Sequence, residues 1–300
     1  MIYDCFTIND EIDLLLLRLE YLSPIVDKFI IVEAEYTFSG NAKPLYFDEA
    51  RVRFRKFEDK IIAVRLPMSH YISNNAWQNE YYQRNFIKTQ LTGLADDDLV
   101  HIGDVDEIPN LFEIMERYTM DKPYLIELLT YYYFLNLKTK ISFKVNLLTP
   151  YKYIKDLDIG DRENYIKLTQ NFIELKDMNS GWHFSYVFGY YVEQYQNKLK
   201  SFSHQEFNTA YFRDKRRIET CLALGIDFLE RYSIYEPVAI EKEVSPALLE
   251  AMKRALPLEQ YIYKKPPLWF YFNFYHLKYY LKFVVKLRLK VSFDRIFKSK

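Results

Sequence analysis

Apolar positions in the first hundred residues switch repeatedly between two periods. Ile2-Tyr3-Asp4-Cys5-Phe6 is a short apolar run that predicts a strand. Ile12, Leu15, Leu16, Leu19 and Leu22 then recur at helical spacing behind the capping candidates Asn9 and Asp10, and Pro24 ends that helix. Lys28-Phe29-Ile30-Ile31-Val32 is apolar at consecutive positions, as strands buried on both faces of a parallel sheet are. The pattern continues as a helix over 47–57, a strand over 60–66, a long helix over 75–92 ending near Gly93, and a strand over 98–102. This βαβαβαβ order predicts an α/β fold with a mostly parallel sheet flanked by helices.

After Pro109 the alternation stops. Residues 124–137 and 141–148 are rich in β-formers, and 150–180 form a polar, irregular stretch suited to a loop or a cover. A strand over 186–195 feeding a helix near 196, then helices over 207–223 and 245–255, complete the body. No internal repeat or low-complexity linker demands a second independent domain. The chain is expected to hold one domain over 1–235 with a helical extension over 236–300. In that extension Lys278, Lys282, Lys286 and Lys290 recur every four residues, with Leu277, Leu281, Phe283, Val284 and Val285 between them. Trp269, Phe270, Tyr271, Phe272 and Phe274 lie just upstream. A basic, aromatic helix of this kind suits either an interfacial membrane anchor or packing on an acidic body. The alternation Leu287, Leu289, Val291 fits a strand equally well.

Charge sharpens this picture. Basic and acidic residues balance at 41 each over 300 residues. Residues 264–300, however, hold ten Lys or Arg and one acid, Asp294, so the tail carries +9 and residues 1–263 carry −9. An acidic body argues against nucleic-acid binding, whereas a basic tail matches an anionic membrane leaflet. Two cysteines, Cys5 and Cys221, are too few for a disulfide framework and fit a reducing compartment. The first residues lack the basic and apolar regions of a secretory signal, and no run reaches the ~18 apolar residues of a membrane span, so a cytoplasmic, peripherally bound protein is expected. With 49% apolar and 27% charged residues, wholesale disorder is excluded. The 28 Tyr and 23 Phe fit either a surface of stacking rings or a plain residue-usage bias.

The chemistry concentrates in His101-Ile102-Gly103-Asp104-Val105-Asp106-Glu107-Ile108-Pro109. An apolar strand ends, and carboxylates follow at i and i+2, which share a face in extended chain. Strand ends of open α/β sheets bind ligands. Paired carboxylates there suit Mn²⁺ or Mg²⁺, which would neutralise a diphosphate leaving group. Alternatively, the acids favour the start of a helix at Pro109.

Ordered motifs around this one resemble glycosyltransferase family 17, the bisecting N-acetylglucosaminyltransferase type, and point to a bacterial member. They are Asp4-Cys5-Phe6, Asn9-Asp10-Glu11-Ile12-Asp13-Leu14-Leu15, Arg18-Leu19, Val26-Asp27-Lys28-Phe29-Ile30-Ile31-Val32-Glu33, Thr37-Phe38-Ser39-Gly40 and Lys43-Pro44-Leu45. Trp77-Gln78-Asn79-Glu80, Gln83-Arg84, Gly103 to Pro109, Gly181-Trp182-His183-Phe184-Ser185-Tyr186 and Lys198 to Glu206 continue the likeness over roughly 1–215. The resemblance implies a GT-A-like fold, a UDP-sugar donor, N-acetylglucosamine as its sugar, and inverting transfer to a glycan or lipid-linked glycan in surface polysaccharide or glycolipid synthesis. Residues 150–180 and those after about 235 fall outside it and would choose the acceptor.

On this reading Asp104 and Asp106 hold the metal with His183, for which His204 competes. Glu33 faces the nucleoside or is a solvated loop acid. Arg84 meets the donor phosphates or merely pairs with Glu80 four residues earlier. Lys198 or Lys200 meets the diphosphate or lies on a solvated face. Trp182 and Trp77 stack on the sugar or base, or belong to the core. Glu206 is the first choice for the general base that takes the acceptor proton, with Asp161 and Glu107 as alternatives. Two other classes stay open: a metal-dependent phosphoesterase or nucleotidyltransferase using the same carboxylates, and a catalytically inactive membrane-surface binding module.

Overall fold

A computed structural model describes residues 1–168, 172–175, 180–231, 233, 235–267 and 273–297. Four parallel strands form its first half: β1 (Ile2–Ile8), β2 (Lys28–Ala34), β3 (Ile61–Leu66) and β4 (Leu99–Asp104), in the order β3-β2-β1-β4. Their registers bring the carboxyl ends level, with Ile8 opposite Glu33 and Thr7 opposite Asp104. Successive residues face opposite cores. Phe6, Phe29 and Ile31 join one apolar cluster, and Cys5, Ile30 and Val32 join another. That explains the uninterrupted apolar runs.

The second half changes direction. β5 (Glu107–Pro109), β6 (Tyr124–Tyr132), β7 (Leu137–Thr139), β8 (Phe143–Pro150), β9 (Ile173–Leu175), β10 (Gly181–Ser185) and β11 (Tyr235–Pro237) extend the same sheet. β8 lies antiparallel to both β4 and β6, and β10 runs parallel to β6 but antiparallel to β5. The sheet is therefore mixed. The expected mostly parallel arrangement holds for its first four strands and is corrected beyond them, because β6, β7 and β8 follow one another through connections too short for a crossover helix and pair antiparallel.

Several boundaries also shift. The helix expected over 47–57 is a short turn, Tyr46–Glu49, followed by a 3₁₀ segment, Arg51–Lys60. Phe54 and Phe57, three apart, both bury their rings there, which suits three residues per turn. The long helix over 75–92 is α-helical at Ala76–Asn85 and 3₁₀ at Phe86–Gln90. The strand expected over 186–195 lies earlier, at β10, and leads into the helix Val192–Ser201. Residues 205–224 hold a 3₁₀ turn and the helix Lys215–Leu224. The helix Pro246–Ala255 begins at Ser245, whose hydroxyl accepts the Leu248 N–H, and packs on the helix Ile12–Leu22. Leu248, Ala251, Met252 and Tyr261 belong to the main core, so the start of the expected extension is built into the body. Phe274–Phe297 is one helix rather than a helix and a strand, while Trp269, Phe270, Tyr271 and Phe272 lie outside the described residues.

Candidate active site

The level strand ends open onto a cleft of about 220 Å³. Its floor is the Asp104-Val105-Asp106 turn between β4 and β5, and its walls include Arg84, His183, Tyr186, Lys198 and His204. A buried arginine sets the turn. Arg18 lies fully buried on the helix Ile12–Leu22 and clamps Asp4 of β1 through Nε and Nη2, at 2.7 and 2.6 Å. Its Nη1 donates to the carbonyls of Asp104, Val105 and Glu107 at 2.9, 3.2 and 2.6 Å. His101 Nδ1 is 2.8 Å from Asp4 Oδ1, and its Nε2 is 2.9 Å from the Asn146 side-chain oxygen. Asn146 in turn donates to Glu107 Oε2 at 2.9 Å. Buried polar groups are thus paired throughout this layer, which makes the turn's geometry rigid.

The two carboxylates of the motif have different surroundings. Asp104 accepts from Arg84 Nη2 at 3.2 Å through Oδ1 and from Arg162 Nη1 at 3.0 Å through Oδ2. Burial pushes its pKa up, but the two guanidiniums prevail and hold it well below the usual carboxylate range. Arg162 also forks onto Glu107 at 2.9 and 2.6 Å, and the Asp104 N–H donates to the same carboxylate at 2.7 Å. Asp106 faces His183 instead, with Oδ2 3.7 Å from Nε2. Burial lowers the His183 pKa, and Asp106 more than offsets this, so the imidazole holds its proton above its ordinary range. His183 Nδ1 is buried with no hydrogen-bond partner among the described residues. Oxygen and nitrogen donors of Asp106, Glu107 and His183 all lie within 4.8 Å of one another, a donor set that suits Mn²⁺ or Mg²⁺. Glu107 is already saturated by Arg162, Asn146 and a backbone N–H, so Asp106 and His183 are the donors left for an ion.

Opposite the turn, Lys198 donates to Glu11 Oε1 at 2.6 Å. Burial lowers its pKa, and Glu11 and Asp106 more than reverse this, so it stays fully protonated. Arg84 pairs with Glu80 at 2.8 Å besides Asp104, and Ser203 donates to Glu80. His204 Nδ1 lies 2.8 Å from Glu206 Oε1, and its ring meets the edge of Trp77 at 4.7 Å.

The structure therefore gathers Arg84, Asp104, Asp106, His183 and Lys198 on one cleft, with Trp77 and His204 at its rim. Glu33, Trp182, Glu206, Asp161 and Lys200 lie off that lining. Glu33 is buried and accepts from Lys43 Nζ at 2.8 Å and from the Tyr46 and Phe47 N–H groups at 2.7 and 3.0 Å. Trp182 is buried in the main core, its indole N–H donating to the Glu243 carbonyl at 3.0 Å. Glu206 is exposed and reaches the cleft only through His204. Asp161 caps its own turn by accepting the Glu163 and Asn164 N–H groups. Arg162 was not legible because it sits in the irregular 150–180 stretch. Arg18 belongs to one of the family-like motifs, and nothing in its helical spacing announces a clamp on a turn 86 residues away.

The family model for glycosyltransferase family 17 matches residues 1–257. Beta-1,4-mannosyl-glycoprotein 4-beta-N-acetylglucosaminyltransferase of Rattus norvegicus is 32% identical over 117 residues, covering 36% of this chain and 21% of that protein. The Homo sapiens protein of the same name is 31% identical over 117 residues, covering 36% of this chain and 22% of its own length. The match thus spans about a fifth of these curated relatives. Among solved structures, Francisella tularensis 2-C-methyl-D-erythritol 4-phosphate cytidylyltransferase aligns with a TM-score of 0.33 at 12% identity, over 58% of this chain and 89% of that one. A likeness that weak carries no argument. With the family model running through β1, the turn, β10 and the helix that bears Lys198, the chain belongs to glycosyltransferase family 17.

Proposed function

We propose that this chain is a metal-dependent, inverting glycosyltransferase with a GT-A-like donor site, moving N-acetylglucosamine from a UDP-sugar to a glycan hydroxyl. The observation that carries this reading is the convergence of Asp104, Asp106, His183, Arg84 and Lys198 on one cleft at the ends of parallel strands. Family membership supports sugar transfer, and the relatives' name supports the choice of sugar.

Transfer forms a bond between the acceptor oxygen and the anomeric carbon, and breaks the bond from that carbon to the diphosphate. The bonding pair leaves on the diphosphate oxygen, so negative charge develops there. Lys198 and Arg84 are cations on the same cleft, held in place by Glu11, Glu80 and Asp104 before donor arrives, so little reorganisation is needed. Asp106 and His183 would hold a divalent ion, which would supply further charge neutralisation for that diphosphate. Rigid support from Arg18 keeps the turn fixed while this happens. The acceptor proton goes to His204. Glu206 orients that imidazole through Nδ1, leaving Nε2 to receive the proton. Trp77, half exposed at the same rim, offers a ring face to a sugar.

The test is release of UDP from a panel of nucleotide sugars, with Mn²⁺ or with a chelator, in the presence of mixed glycan acceptors. UDP-N-acetylglucosamine should be consumed fastest and only with metal. Equal consumption with the chelator would overturn metal dependence, and preference for another nucleotide would overturn the donor.

A further inference from the structure

The helix Phe274–Phe297 has two apolar faces, and the body covers one of them. Tyr279 and Phe283 pack against the cluster around the helix Lys215–Leu224. Lys282 and Lys286 point the same way and pair with Glu230 at 2.6 and 4.0 Å, while Arg216 lies over the Tyr275 ring at 4.0 Å. Lys282 and Lys286, two of the lysines that recur every four residues, thus fasten the helix to the protein. The opposite arc holds Leu277, Leu281 and Val285, at i, i+4 and i+8, exposed by 38, 51 and 55%. A helix on a protein surface ordinarily turns polar residues to water. Here the outward arc is apolar, and exposed cations border it: Lys278 and Arg288 on the helix, Lys264 and Lys265 before it.

We propose that this outward arc docks the chain on an anionic lipid bilayer, the helix lying in the interface with Leu277, Leu281 and Val285 in the acyl boundary. Charge selects this occupant. Residues 264–300 carry a net +9, which anionic headgroups attract and which a second copy of the same surface would repel. No helix of the described residues is long and apolar enough to cross a membrane, so the contact is one of lying on the surface. Apolar insertion and headgroup attraction are two separate signals, and together they give stable but reversible anchoring. A site held at the bilayer in this way meets acceptors that are themselves anchored in lipid.

The experiment is co-sedimentation of the full chain with vesicles of phosphatidylcholine alone or mixed with phosphatidylglycerol, at low and high salt. Binding to the anionic vesicles should exceed binding to neutral ones by about tenfold or more, and salt should weaken it. The triple variant Leu277→Ser/Leu281→Ser/Val285→Ser should lose that binding while keeping its thermal midpoint. Should the triple variant misfold, Lys278→Glu/Arg288→Glu decides alone: it should lose the preference for anionic vesicles. Wild-type protein that stays in the supernatant, or variants that bind undiminished, would overturn the proposal. So would light scattering that shows a dimer which the triple variant converts to monomer, since the arc would then be a self-interface.

Discussion

Asp104 and Asp106 stand two residues apart and do different work. Asp104 is held by two guanidiniums and fixes Arg84 beside the cleft, while Asp106 keeps its carboxylate for His183. The motif itself was legible, since any strand-end pair of carboxylates separated by one residue announces a site. The division between the two was not, because it depends on Arg84 and Arg162, 20 and 58 residues away from Asp104. The motif that holds Glu206 suggests it as the proton acceptor, but its side chain reaches the cleft only through His204. The two residues make distinct predictions. His204→Ala should lower turnover by about 10²–10⁴, the usual worth of a general base. Glu206→Gln should cost less, because it weakens only the contact that orients the imidazole. Steady-state kinetics across pH check both. A turnover unchanged in His204→Ala would remove it from the mechanism.

At the scale of elements, the turn between β4 and β5 is positioned from outside itself. Arg18 reaches across from the first helix to three carbonyls of the turn and to Asp4 on β1. Arg18→Met keeps most of the volume and leaves the buried Asp4 carboxylate without its guanidinium. A loss of about 3–5 kcal/mol in chemical denaturation is expected. Beside the turn, β10 can approach β5 only because Gly181 has no side chain. It sits at φ +151°, and a Cβ there would come within 2.6 Å of the Ile108 carbonyl. Gly181→Ala should destabilise the protein by about 1–3 kcal/mol, read as a lower thermal midpoint. The first four strands were legible because parallel strands buried on both faces read as unbroken apolar runs. β5, β7 and β9 were not: each is three residues long, and their pairing is decided by partners far along the chain. The 3₁₀ segments were read as α-helix because apolar residues three apart satisfy both periods at short length.

At the scale of the whole molecule, the buried Asp4–Arg18–His101 cluster ties stability to acidity. Burial raises the Asp4 pKa, and Arg18 with His101 overcomes this and brings it from 3.8 to about 2. A carboxyl with a depressed pKa stabilises the fold fully above its unfolded value, and the contribution disappears as pH falls through the folded value. Stability should therefore drop by about 2 kcal/mol between pH 4 and pH 2 on this account alone. The slope should be missing in Asp4→Asn, measured by urea denaturation at each pH. The expected division of the chain near residue 235 follows the end of the family likeness. Packing follows apolar residues instead, and those from Val244 to Tyr261 close the main core. The central claim concerns the cleft, and calorimetric titration of UDP with and without Mn²⁺ tests it most directly, on the wild-type chain and on Asp106→Asn/His183→Gln. Mn²⁺ should raise the wild-type affinity by about tenfold or more through its contact with the diphosphate, and the gain should vanish in the variant. A folded wild-type chain that binds no UDP, or a variant that keeps the full gain from Mn²⁺, would contradict the account.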